Sequence, residues 1–237
     1  VMVCDQCWLV QTEDYTAAGE VFTKDYAYFS STSKGWVSHA KSYRETVISR
    51  FNLDASSKVI EVASNDGYLL KNFLTAKIPC LGIEPTESTA NAAEKLGITT
   101  IKKFFGTDLA HCLLSEGSSA DLIIGNNVFA HVPDINDFAK GLEITLKPEG
   151  VITLEFPHLM KLVELAQFDT IYHEHFSYLS LLAVTKVFEK SGLRIFDIDE
   201  LPTHGGSIRI YACKIEANHA ESNAVQAILE MEKAVGM

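Results

Sequence analysis

No apolar run among the 237 residues approaches the roughly 20 that a bilayer-spanning helix needs, and no basic segment followed by an apolar stretch opens the chain. The expectation is a cytoplasmic protein without a membrane partner. Positive charge is also scarce: 20 Lys and Arg face 31 Asp and Glu, for a net charge of −11 with no basic stripe. A nucleic acid would have to bind against that field. Cysteines number five, an odd count, and Cys80, Cys112 and Cys213 stand singly among apolar or helical residues, which argues against a disulfide framework. Repeats and low-complexity linkers are absent, and so is the Gly-x-Gly-x-x-Gly turn that brings a backbone close to a pyrophosphate.

What is present suits one large α/β domain, since 47% of the residues are hydrophobic. A helix is predicted over residues 34–51, where Trp36, Val37, Ala40, Tyr43, Val47 and Ile48 recur at helical spacing behind a Ser/Thr cluster. Strands predicted at 58–63, 80–84, 99–102, 121–125 and 151–156 then alternate with helices at 68–76, 88–96, 107–114 and 135–146. That is the pattern of a parallel sheet covered on both faces. Strands at 193–198 and 207–214, joined by Pro202-Thr203-His204-Gly205-Gly206, suit an antiparallel pair. Five parallel strands followed by an antiparallel hairpin form the Rossmann-like α/β plan of class I methyltransferases. The helical pattern from Glu221 is expected to run to Met237 without a cap. Cys4-Asp-Gln-Cys7 is half of a zinc-ribbon spacing whose second Cys pair is missing, which leaves two free thiols or a zinc site as open readings. The expected division is a partial zinc-binding module and linker at 1–33, a core at 34–214, and the start of a further region at 215–237.

In a doubly wound sheet, ligands bind at the carboxyl ends of the strands, beside the point where strand order reverses. Glu61 ends the first core strand; Ala63, Ser64, Asn65, Asp66 and Gly67 form the next turn; Tyr68 and Leu69 start the helix; Glu84 and Pro85 end the second strand; Asn126 and Asn127 close the fourth. Glu84 is placed to accept both hydroxyls of a ribose. Glu61 and Asp66 would repel a pyrophosphate but suit the sulfonium and amino groups of S-adenosylmethionine, which favours that cofactor over NAD(P). The competing reading is an ordinary helix-starting turn with Glu61 as a solvated strand end.

Residues 167–178 crowd Tyr172, His173, Glu174, His175 and Tyr178 together, groups able to give, take or relay a proton near neutral pH. With Glu61-Val-Ala-Ser-Asn-Asp-Gly, Asn127-Val-Phe-Ala-His131-Val-Pro, Tyr172-His-Glu-His175 and Leu201-Pro-Thr-His204-Gly-Gly-Ser-Ile-Arg209, the chain resembles the sugar C-methyltransferase family from Cys4 to its last residue. Members of that family methylate a ring carbon of nucleotide-linked 4-keto deoxysugars. The resemblance implies a zinc module, a methyltransferase core and a C-terminal half that helps enclose the substrate. Here the first Cys pair and the C-terminal half are missing. It also implies active-site roles for Tyr28 and His131, and acceptor contacts for His204, Gly205 and Arg209.

Carbon becomes a nucleophile when a base removes a proton beside a ketone and a donor steadies the resulting enolate. His175 is the expected base, Tyr172 the donor or alternative acceptor, Glu174 the orienting group, and Tyr15 and Tyr26 packing residues. The implied partner is a small nucleotide-linked keto sugar, with the chain a monomer or weak homo-oligomer. Two other functions fit the same features: methylation of another small acceptor, and a catalytically idle S-adenosylmethionine-binding module.

Overall fold

A computed structural model describes residues 1–13, 18–23 and 28–237; Tyr15 and Tyr26 lie outside them. In chain order the elements are β1 (Met2–Val3), β2 (Val10–Gln11), α1 (Ala18–Val21), α2 (Lys34–Phe51), β3 (Val59–Val62), α3 (Leu70–Thr75), β4 (Cys80–Ile83), α4 (Glu87–Lys95), β5 (Thr100–Ile101), α5 (Thr107–Ser115) and β6 (Ala120–Asn126). They continue with α6 (Ile135–Thr145), β7 (Leu146–Pro157), α7 (Leu159–Glu164), β8 (Ser177–Tyr178), α8 (Leu181–Ser191), β9 (Leu193–Leu201), β10 (Ser207–Lys214) and α9 (Asn223–Ala234).

Seven strands form the main sheet in the order β5-β4-β3-β6-β7-β10-β9. The first five run parallel, and β10 lies antiparallel between β7 and β9. This is the class I methyltransferase fold anticipated from the strand-helix alternation. The order reverses at β3, whose four residues are all buried because helices cover both sheet faces. Ile60 and Val62 face one core, with Leu113 of α5, Phe138 of α6 and Phe188 of α8. Val59 faces the other, with Tyr43 of α2 and Phe73 of α3. Among the described residues, no helix is long and apolar enough to cross a membrane.

Two features differ from the sequence-based expectation. No element was predicted between residues 156 and 193, yet the structure has α7, β8 and α8 there. Ser180 caps α8 by accepting the Ala183 N–H, and Gly192 closes it at φ 88°. The final helix is capped rather than open-ended. Gly236 takes φ 88°, Met237 N–H donates to Glu232 O at 3.0 Å, and Gly236 N–H donates to Lys233 O at 3.2 Å, the paired bonds of a Schellman motif. This helix, α9, packs on β9 and α8. Its buried Glu232 carboxylate accepts the Leu181 and Leu182 N–H groups at the start of α8 and lies 2.7 Å from His158 Nε2.

A second, three-stranded sheet joins β1, β2 and β8, all antiparallel. It brings the start of the chain to the acid/base segment: the Thr12 hydroxyl donates to His175 O at 2.9 Å, and Thr12 N–H donates to Phe176 O at 3.1 Å. The Cys4–Cys7 turn sits at the far end of this hairpin. Backbone N–H groups of Cys7 and Gln6 lower the pKa of the Cys4 thiol, while burial raises that of Cys7. Two thiols fall short of the four ligands of a structural zinc, and among the described residues no group of three or more metal-ligating side chains gathers.

Candidate active site

The turn after β3 is shaped by left-handed backbone at alternate residues, Ala63 (φ 56°), Asn65 (φ 50°) and Gly67 (φ 75°). Gly67 needs both that conformation and the space, because a Cβ there would come within 2.4 Å of Ile98 Cδ1. Asn65 tolerates the conformation, whereas Ala63 holds it against a cost of about 1–2 kcal/mol for a residue with a Cβ. Ala63→Gly is therefore expected to stabilise the protein by about 0.5–1 kcal/mol, the relieved strain less the extra freedom of the unfolded chain, as read by urea unfolding. Unchanged or lower stability would show that Ala63 is unstrained.

Above this turn opens a cleft of about 600 Å³. Glu84 organises its floor, accepting the Asn65 N–H at 2.9 Å and the Thr86 N–H at 2.9 Å. The segment 28–31 folds over the same turn: Ser30 N–H donates to Asn65 Oδ1, Ser31 N–H donates to Asp66 Oδ2, and Asn65 Nδ2 donates to Tyr28 O.

Several acceptors around the floor are buried without a hydrogen-bond partner among the described residues: both Glu61 carboxylate oxygens, Asp66 Oδ1, Asn126 Oδ1 and Asn127 Oδ1. Burial, together with Glu84 and Asp66, raises the Glu61 pKa well above the usual carboxylate range. Uncompensated acceptors of this kind fit a cationic ligand and do not fit a pyrophosphate.

Of the residues expected to hold the cofactor, Ala63, Asn65, Tyr68, Glu84, Pro85, Asn126 and Asn127 line the cleft. Glu61, Ser64, Gly67 and Leu69 lie beneath it, outside the lining residues, and Glu61 and Ser64 are fully buried rather than solvated.

Across the cleft stand Tyr28, His131, Tyr172, Glu174 and His204. His175 is buried just behind them, its ring centroid 4.3 Å from Tyr172 and 4.7 Å from His131. His175 Nδ1 lies 2.8 Å from Thr170 O, and His131 Nδ1 lies 2.8 Å from Glu174 O. A carbonyl can only accept, so each Nδ1 carries the proton and each Nε2 keeps its lone pair. Burial lowers both pKa values; His131, also facing His175, falls to about 4. Burial and Glu174 raise that of Tyr172, which therefore stays a phenol at neutral pH. His173 is exposed.

Gly205 (φ 77°) accepts from Gln167 Nε2 through its carbonyl, and Arg209 is only 4% exposed, held by Glu155; neither lines the cleft. Trp36, Phe104, Phe105 and Asp137 line it without having been anticipated, because Trp36 reads as helix core and the others fall in helix or loop patterns. Glu155 was also missed. Its signal is a lone acid inside the apolar run of β7.

The family described as a methyltransferase domain matches residues 37–198. The chain is 33% identical, over all 237 residues, to the C-methyltransferase NovU of Streptomyces niveus, and spans 56% of that protein's length. It is 24% identical, over 117 residues, to a ubiquinone biosynthesis O-methyltransferase of Bartonella tribocorum, covering 46% of this chain and 47% of that one. The magnesium protoporphyrin IX methyltransferase ChlM of Synechocystis PCC 6803 with bound SAH shares the fold at a TM-score of 0.60 and 16% identity, covering 82% of this chain and 91% of that one. The chain belongs to the methyltransferase-domain family.

Proposed function

We propose that the chain binds S-adenosylmethionine on the Glu61–Glu84 side of the cleft and methylates a carbon beside a ketone on a nucleotide-linked deoxysugar. The donor, when bound, supplies an electrophilic methyl group on a sulfonium cation. The acceptors of Glu61, Asp66, Asn126 and Asn127 without a partner among the described residues favour that cation, and Glu84, which lines the cleft, would accept the hydroxyls of its ribose. On the other wall His175 Nε2 takes the proton from the acceptor carbon, and the Tyr172 phenol donates to the oxygen on which charge develops. His131 packs against the His175 ring, and Glu174 enters through its backbone, which fixes His131.

The observation that carries this reading is a pair of adjacent imidazoles whose Nδ1 atoms each face a backbone carbonyl, at a cleft whose floor holds acceptors without a partner among the described residues. The acceptor class rests on the resemblance of the Tyr-x-Glu-His and His-Gly-Gly motifs to the sugar C-methyltransferase family, and the relative NovU is a C-methyltransferase by name. A zinc ion at Cys4 and Cys7 would need two further ligands from outside the described residues.

Incubation with methyl-labelled S-adenosylmethionine and a nucleoside-diphosphate 4-keto-6-deoxyhexose in deuterated water tests the proposal. The label should appear on carbon, with deuterium entering the carbon next to the ketone when donor is omitted. A label on oxygen, or donor binding with neither exchange nor transfer, would overturn it.

A further inference from the structure

We propose that Glu155 is a positioning residue, the hub through which the wall carrying His204 and Trp36 is fixed relative to the donor side of the cleft. This rests on the proposed division of the cleft into donor and acceptor walls. Glu155 lies near the end of β7 with 1% exposure, in register with Asn126 on β6 and Arg209 on β10. Its backbone carbonyl accepts the Asn127 N–H at 2.7 Å, holding a residue of the donor wall at φ 52°. Its carboxylate gathers side chains from three elements. His39 Nε2 on α2 lies at 2.8 Å, the Thr203 hydroxyl on the β9–β10 turn donates at 2.9 Å, and Arg209 closes an ion pair. His39 Nε2 also lies 2.9 Å from Arg209 Nη2. Burial alone would raise its pKa, but the His39 contact and the Arg209 charge outweigh burial and keep the group ionised.

Two of the three, Thr203 and His39, lead to a cleft residue. Thr203 precedes His204, a non-glycine residue at φ 50°, so the turn needs an outside tether to hold that conformation. His39 stacks on Trp36 at 5.1 Å and 20°, and the Trp36 ring meets His204 edge-on at 5.1 Å. One buried carboxylate therefore braces the histidine turn from below and the indole from the side. An ordinary core ion pair would not need cleft-facing neighbours on two of its three partners.

Thr203 is the safest place to break the brace, since its hydroxyl can be removed without opening the core. In a Trp8→Phe background, Trp36 is the sole tryptophan. Thr203→Val should then at least double the acrylamide quenching constant of Trp36 and raise the KM for a nucleoside-diphosphate 4-keto-6-deoxyhexose about tenfold, the loss of one hydrogen bond to a charged group. The affinity for S-adenosylhomocysteine should stay unchanged, and Thr203→Ser should restore the parent values. Unchanged quenching in Thr203→Val, or donor affinity falling in step with acceptor KM, would overturn the proposal. If the unaltered chain does not use that acceptor, the proposed substrate fails, while the quenching series still decides the brace.

Discussion

Glu61→Gln is expected to raise the stability of the ligand-free protein while weakening S-adenosylmethionine binding about 10–100-fold. The carboxylate is fully buried and shares its surroundings with Glu84 and Asp66; against their raising effect and that of burial, the Tyr68 hydroxyl pulls its pKa down. Without ligand, the protein keeps Glu61 protonated to a higher pH than an unfolded chain would. Its stability should therefore fall as pH rises above the ordinary carboxylate range toward the raised folded value. A neutral amide removes that penalty, a gain of about 1–2 kcal/mol, or several degrees in Tm for a domain of this size.

A bound cation reverses the preference. A unit charge within about 6 Å at an effective dielectric of 20 contributes roughly 3 kcal/mol, part of which is spent on ionising the acid. Binding should release close to one proton, and affinity should climb with pH until Glu61 is ionised in the free protein. Calorimetry in two buffers of different ionisation enthalpy measures that proton, and a thermal melt measures the stability. Proton-neutral binding, or a Glu61→Gln protein that is both less stable and equally tight, would refute this account of the acidic floor.

The sheet was legible because its strands are short β-branched runs separated by helical patterns, and the predicted 34–51 helix matches α2. The turn Ala63–Gly67 was legible as a turn from its position after the first core strand. Its alternating left-handed residues were not, since Ala63 carries no sign of a positive φ. Between 156 and 193 the crowded titratable residues mask a plain helix signal: Ser180 before, Gly192 after, and Leu181, Val184, Val187 and Phe188 at helical spacing. Long-range tertiary contacts are what sequence pattern cannot supply. Thr12 reaches His175 across 163 positions, and His39 reaches Glu155 across 116. Neither pair has a local signature, so the braces around the site appeared only once the chain was folded.

His175→Ala should lower kcat by about 10²–10⁴-fold, the usual contribution of a positioned base, with affinity for S-adenosylhomocysteine retained. His131→Ala should cost less, because a group with its pKa near 4 is a weak acceptor for a carbon-bound proton, whereas burial and His204 depress His175 and the Thr170 carbonyl works against them. His131 nonetheless lines the cleft and His175 sits behind it, so geometry alone would favour the opposite order, and the two variants separate reach from basicity. The base must be neutral to act. With its pKa depressed, the acid limb of kcat/KM should lie below the ordinary histidine value of about 6.5, activity rising with pH through that limb. Both imidazoles also take up protons more readily in the unfolded chain. Their contribution to stability should be complete above about 6.5 and be lost as pH falls through the lowered folded values, for His131 about 4, the opposite trend to that of Glu61. Tyr172→Phe should reduce kcat while leaving the acid limb in place, since a phenol held above its usual pKa donates without titrating in that range. A larger loss in His131→Ala than in His175→Ala would transfer the proton to His131. An acid limb that persists in both single variants would mean that neither imidazole is the base.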